Sequence, residues 1–137
     1  MFRIARDAVD ARALEAILRD GDGGFVTFVG IVRGRGDDGR AVRGLSYEAY
    51  EPLAHAAFEE IASEARERFG DVRIAIVHRI GDLLVGEIAV AVAAAAAHRA
   101  EAFAACAYAV DELKRRAPIW KKEAYLDGAS QWRENLQ

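Results

Sequence analysis

Residues 83–97 read LLVGEIAVAVAAAAA, and the fold class turns on them. They form the most apolar stretch of the chain. They include Glu87, however, and fall short of the roughly 20 apolar residues needed to span a bilayer. Within them, Ile88, Val90 and Val92 alternate with Ala89, Ala91 and Ala93. That period of two predicts a strand over 86–95, apolar on both faces and therefore buried in a sheet.

Working outward, residues 98–116 carry Phe103, Cys106, Val110 and Leu113 at helical spacing, which predicts a helix with that stripe buried. Pro118 lies just beyond its end and biases Ala117 away from helix, so 118–125 reads as extended. Upstream, 72–79 (VRIAIVHR) is strand-like. Residues 52–69 place Ala54, Phe58, Ile61, Ala65 and Phe69 on one helical face behind Pro52, a residue suited to a helix start. Residues 42–50 read as a strand. Residues 34–41 (GRGDDGRA) form a polar, Gly-rich loop, and 24–33 (GFVTFVGIVR), apolar on both faces, reads as a central strand. A first helix over 10–19 puts Leu14, Ile17 and Leu18 together, with Asp7 or Asp10 as its cap. The order α, β, β, α, β, β, α, β points to an α+β sandwich with a largely antiparallel or mixed sheet.

The bulk properties narrow the class. A chain of 137 residues suits a single domain over 1–137 and needs no disulfide or metal staple. Its one cysteine, Cys106, excludes an internal disulfide, in keeping with a reducing cytosol, and the charged N-terminal residues lack a signal-peptide core. The expected location is therefore cytoplasmic, with no membrane segment. The net charge of −3 supplies no global field for nucleic acid, so any anion site must be a local cluster.

Three local signals bear on chemistry. Lysine occurs at Lys114, Lys121 and Lys122 and nowhere else, every other basic position being arginine. Lysine offers a compact ammonium whose pKa falls on burial, which suits proton transfer; chance clustering on a solvated face is the other explanation. His98 and Arg99 stand between a buried strand and a helix, where first-turn amides favour an anion; a strand-capping histidine beside a solvated arginine is the alternative. Arg33 stands at a strand end by the mouth of the glycine loop, either as an exposed arginine or as an anion clamp with the loop as its lid. His78–Arg79 precedes Ile80-Gly81-Asp82, read as a turn, and is expected to be structural. His55 is expected on a solvated helix face, and Cys106 in the core. No His/Cys/Asp/Glu set has metal-ligand spacing, and there is no phosphate-loop, dinucleotide or nucleophile-elbow motif, so no metal and no cofactor are expected.

Five segments, GGFVTFVGIVRG at 23–34, LSYEAYEPLA at 45–54, VHRIGDLLVGE at 77–87, AHRAEAF at 97–103 and ELKRRAPIWKKE at 112–123, run in the order found in the large, catalytic subunit of molybdopterin synthase. The chain resembles that family over most of residues 23–123. The resemblance implies a hammerhead-type, two-layer α/β fold and a homodimer that binds a small ubiquitin-like sulfur carrier at each end, making a heterotetramer. The carrier's C-terminal Gly-Gly thiocarboxylate would deliver sulfur to cyclic pyranopterin monophosphate, giving the dithiolene of molybdopterin. It further implies that Lys114 orients or activates the thiocarboxylate and that Lys121 handles protons. Arg33, His98 and Arg99 would hold the phosphate and pterin, with Phe28 in the same pocket region.

The chain departs from the family pattern in its Gly/Asp-rich loop with Arg35, in Ala96 where serine is frequent, and in a short tail after Trp132. Family members often carry a further arginine in that tail, and Arg133 is the candidate to replace it. One helix over 98–116 separates His98 from Lys114 by about 24 Å, so a site shared across a two-fold dimer is expected. The competing readings are a non-catalytic module that binds a carrier's tail and a nucleic-acid module built on 114–122. Both motif lysines stand against the first. The single Trp120 and the net charge stand against the second.

Overall fold

In the computed structural model, which describes residues 1–134, the strands divide between two four-stranded sheets. The first contains β1 (Phe2–Ala5), β2 (Gly24–Ile31), β4 (Arg73–Arg79) and β6 (Ile88–Ala96), in the order β1-β4-β6-β2. Only the β1–β4 pairing in it is parallel. The second contains β3 (Val42–Ala49), β5 (Gly81–Leu84), β7 (Ile119–Tyr125) and β8 (Ser130–Glu134), antiparallel in the order β5-β3-β7-β8. The helices are α1 (Glu51–Phe69) and α2 (Arg99–Arg116), with a 3₁₀ helix over Ala11–Ile17.

The alternation in β6 sorts the core. Val90, Val92 and Ala94 face the cluster that contains Phe58, Ile61 and Cys106 from α1 and α2. Ala91 and Ala93 face Leu14 of the 3₁₀ helix on the other side. Both faces are covered, which is why this strand is apolar throughout. On α2, Ala102, Ala105 and Ala109 present a flat face that lets the helix lie close to the sheet. Cys106 is buried there, and its thiol donates to the Val92 carbonyl at 3.6 Å.

Several expectations are corrected. Residues 24–31 form an edge strand, not a central one. Val26 and Phe28 pack towards α2 and Phe25 towards the 3₁₀ helix, so both faces are apolar without a second strand neighbour. The first helix is 3₁₀, closed by bonds such as Ala13 N to Asp10 O, and Asp10 is its cap, accepting from Arg12 N. Phe103, expected in the buried stripe of α2, is 61% exposed. Residues 81–84 form strand β5, entered through Gly81 at φ 93°. The short β1 and β8 carry no pattern that announces them.

Candidate active site

The last turn of α2, the end of β2, the loop 34–41 and the facing strand β7 enclose a cavity of about 90 Å³. Each contributes through a local rule. Along β7 the side chains alternate, so Lys121 and Glu123 point into the cavity while Trp120 and Lys122 point out. Lys122 instead lies 5.7 Å from the ring of Trp132, its cross-strand partner. α2 stops before Pro118 with its C-terminal carbonyl end at the site, a favourable place for the Lys114 ammonium. Arg33 stands two residues beyond the end of β2 and opens the loop.

The charges are tightly grouped. Arg33 Nη2 donates to Asp37 Oδ1 at 2.8 Å, and Lys121 Nζ stands 3.9 Å from Asp37 Oδ2. Lys121 is only 7% exposed. Burial lowers the pKa of Lys114, the charges of Lys121 and Arg33 lower it further, and Asp37 partly offsets them. Glu123 is buried, with Oε1 2.6 Å from Arg133 Nε. Burial, and then the Glu123 carboxylate, push the Tyr47 hydroxyl up to about 12, so it stays protonated as a donor.

His78 forms part of the cavity wall and is 1% exposed. Its Nδ1 lies 2.8 Å from the Arg79 carbonyl; a carbonyl only accepts, so Nδ1 carries the proton. Its ring meets that of Tyr47 edge-on at 5.1 Å. Burial pulls its pKa down to about 4, and the Lys114 charge acts in the same direction. His78 thus has a structural anchor, as expected, but it also faces the cavity. Sequence reasoning missed it, along with Asp37, Tyr47 and Glu123. The acidic residues have no compositional contrast in a chain with 22 of them.

Arg33, Lys114 and Lys121 therefore come together within one chain. His98 and Arg99 do not join them. They sit at the opposite end of the unbroken α2, beside the start of β2, where Gly24 leaves room for the Arg99 backbone. Phe28 also lies outside the cavity lining, on the sheet face packed against the core, two residues before Gly30, which does line it. Among the described residues, no three His, Cys, Asp or Glu side chains converge as metal ligands, and no helix is long and apolar enough to cross a membrane.

A family model described as MoaE protein matches residues 4–116. The chain belongs to the MoaE family. It is 46% identical over 133 residues to the molybdopterin synthase catalytic subunit of Nostoc sp. (strain PCC 7120), across 96% of this chain and 80% of that one. Among solved structures, it is similar to molybdopterin synthase from Staphylococcus aureus, with a TM-score of 0.89, 34% identity, and coverage of 95% of this chain and 94% of that one. It is also similar to the complex of subunits 1 and 2 of molybdopterin-converting factor from Helicobacter pylori, with a TM-score of 0.76, 29% identity, and coverage of 92% and 86%. The family match spans Arg33, His98, Arg99 and Lys114 and stops before Lys121, which the match to the Nostoc relative includes.

Proposed function

We propose that residues 1–137 form one domain, the catalytic subunit of a cytoplasmic molybdopterin synthase. It takes sulfur from the C-terminal thiocarboxylate of a small ubiquitin-like carrier and places it on cyclic pyranopterin monophosphate. The observation that carries this reading is the convergence of Arg33, Lys114 and Lys121 on one narrow cavity that no cysteine, serine or threonine lines. A cavity of about 90 Å³ has room for about three waters, which suits a slim chain end better than a bicyclic pterin. The carrier's tail would enter it, and the pterin would lie at its mouth.

Each transfer forms a bond from the thiocarboxylate sulfur to a pterin side-chain carbon, and a carbon–oxygen bond of that side chain breaks, its oxygen taking up protons and leaving as water. Water then cleaves the acyl–sulfur bond, leaving the carrier with a carboxylate and the pterin with a thiolate. Lys114 orients the thiocarboxylate, and its weakened hold on its proton suits it to activate that group as well. Lys121 handles protons as sulfur adds and water leaves. The cyclic phosphate needs further cations. In our reading His98 and Arg99 of a second copy supply them in a hammerhead-type homodimer, with a carrier at each end of the heterotetramer. The exposed Phe103, one turn beyond Arg99, gives that surface an apolar neighbour to bury.

A single-turnover assay tests the reaction. The purified chain is mixed with thiocarboxylated carrier and the cyclic pterin, and dithiolene is followed by mass spectrometry. Product is expected from the wild type and not from Lys114→Ala. Lys114→Arg should restore little, at least about 100-fold below wild type, because a guanidinium keeps its proton. Intact carrier binding without any product would identify a tail-binding module instead.

A further inference from the structure

Asp37 occupies the middle of the basic cluster. One carboxylate oxygen takes a hydrogen bond from Arg33 at 2.8 Å, the other faces Lys121 Nζ at 3.9 Å, and Lys114 also feels its charge. The loop is built to hold it there. Gly36 N donates to Arg40 O at 2.8 Å and Gly39 N to Gly36 O at 3.0 Å, closing a tight turn at Gly39, whose φ is 84°. The flanks are tied down from outside the cavity: Asp38 by Arg133 at 3.2 Å, and Arg40 by Asp127 at 2.6 Å. An added Cβ on Gly36 would collide with the Glu123 carboxylate, so the loop backbone lies directly on the buried acid.

We infer that Asp37 is an internal stand-in for the carrier's terminal group, a binding determinant that the incoming thiocarboxylate displaces and that returns when the spent carboxylate leaves. This rests on the tail-pocket reading above. A carboxylate and a thiocarboxylate share charge, planarity and a two-pronged acceptor edge, so both suit the same cations. Both would call on Arg33 and Lys121 at once, and two like charges on one set of cations repel. Tail affinity is therefore reduced by the fraction of chains in which Asp37 is seated. The carrier must depart after giving up each sulfur, and a resident carboxylate that reclaims Arg33 and Lys121 speeds that departure.

Titration calorimetry on the full chain tests this, with a synthetic hexapeptide ending in Gly-Gly and a free carboxylate as the probe. Asp37→Asn should bind it about five-fold tighter than wild type, with slower dissociation. Asp37→Glu, which keeps a competitor, should restore near-wild-type affinity. Asp38→Asn removes the same charge from the same loop outside the cavity and should change affinity by under about two-fold. Hydrogen exchange at the Gly36 and Gly39 amides should rise when the peptide binds wild type. If wild type binds the peptide and Asp37→Asn binds no tighter, or Asp38→Asn matches it, the displacement idea is wrong. Peptide-induced protection of those amides would overturn it too. A wild type that does not bind the peptide at all would instead sink the tail-pocket reading beneath it.

Discussion

His78 is a titratable side chain kept neutral by burial, and its protonation has a readable sign. Its pKa is about 4 in the fold, against 6.5 for the free group. Above pH 6.5 both states are neutral and nothing is lost. As pH falls towards 4 the unfolded chain takes up a proton that the folded chain refuses, so stability drops by roughly 3 kcal/mol across that window. Urea unfolding of wild type and His78→Gln at pH 7 and pH 4.5 should show the gap between them change by roughly 2–3 kcal/mol in favour of the variant at the lower pH. An unchanged gap would mean that His78 is not held neutral. At this scale the sequence was partly legible. Lysine scarcity pointed to Lys114, Lys121 and Lys122 together, the family resemblance singled out the first two, and the alternation of β7 turns Lys122 away from the cavity that Lys121 enters. Nothing local marked Asp37 or Tyr47, because their importance comes from neighbours distant in sequence.

Helices α1 and α2 and strands β3, β4, β6 and β7 were readable because each carries a clear period and a boundary signal, such as Pro118 after α2. Strand β2 was readable as a strand but not as an edge, since apolar side chains report what packs above and below the sheet, not whether a second strand bonds alongside. β1, β5 and β8 are short and are defined by their partners. The β3–β5 pairing shows how close those partners come. A Cβ on Gly44 would sit 2.5 Å from the Leu83 carbonyl oxygen, a backbone atom that has little freedom to move aside. Gly44→Ala should cost about 2 kcal/mol and lower Tm by about 6 °C in calorimetry. Gly21→Ala, with nothing within 4 Å of the added carbon, serves as control and should leave Tm nearly unchanged.

Across the whole molecule, the two sheets bring the end of β2 and the middle of β7 together although nearly ninety residues of sequence separate Arg33 from Lys121, while α2 holds His98 and Lys114 about 24 Å apart. The same rigid helix that delivers Lys114 thus keeps His98 and Arg99 away from it. If two copies share the site, mixing an Arg99→Ala chain with a Lys114→Ala chain should restore activity, because each mixed dimer regains one complete site. Recovery should approach about a quarter of the wild-type rate after full exchange of equal amounts, since half the dimers are mixed and each has one intact site of two. No recovery after verified exchange would place all the working groups within one chain.

The seclusion of Cys106 has a practical consequence for tracing atoms. The only sulfhydryl of the chain lies under α2 against the Val92 carbonyl, and burial pushes its pKa up, so it offers little thiolate to an alkylating reagent at neutral pH. In a mixture with a thiocarboxylated donor, iodoacetamide would tag the donor's sulfur and leave this polypeptide unmarked. Isotopically heavy sulfur could then be followed from donor to product without exchange into the protein that handles it.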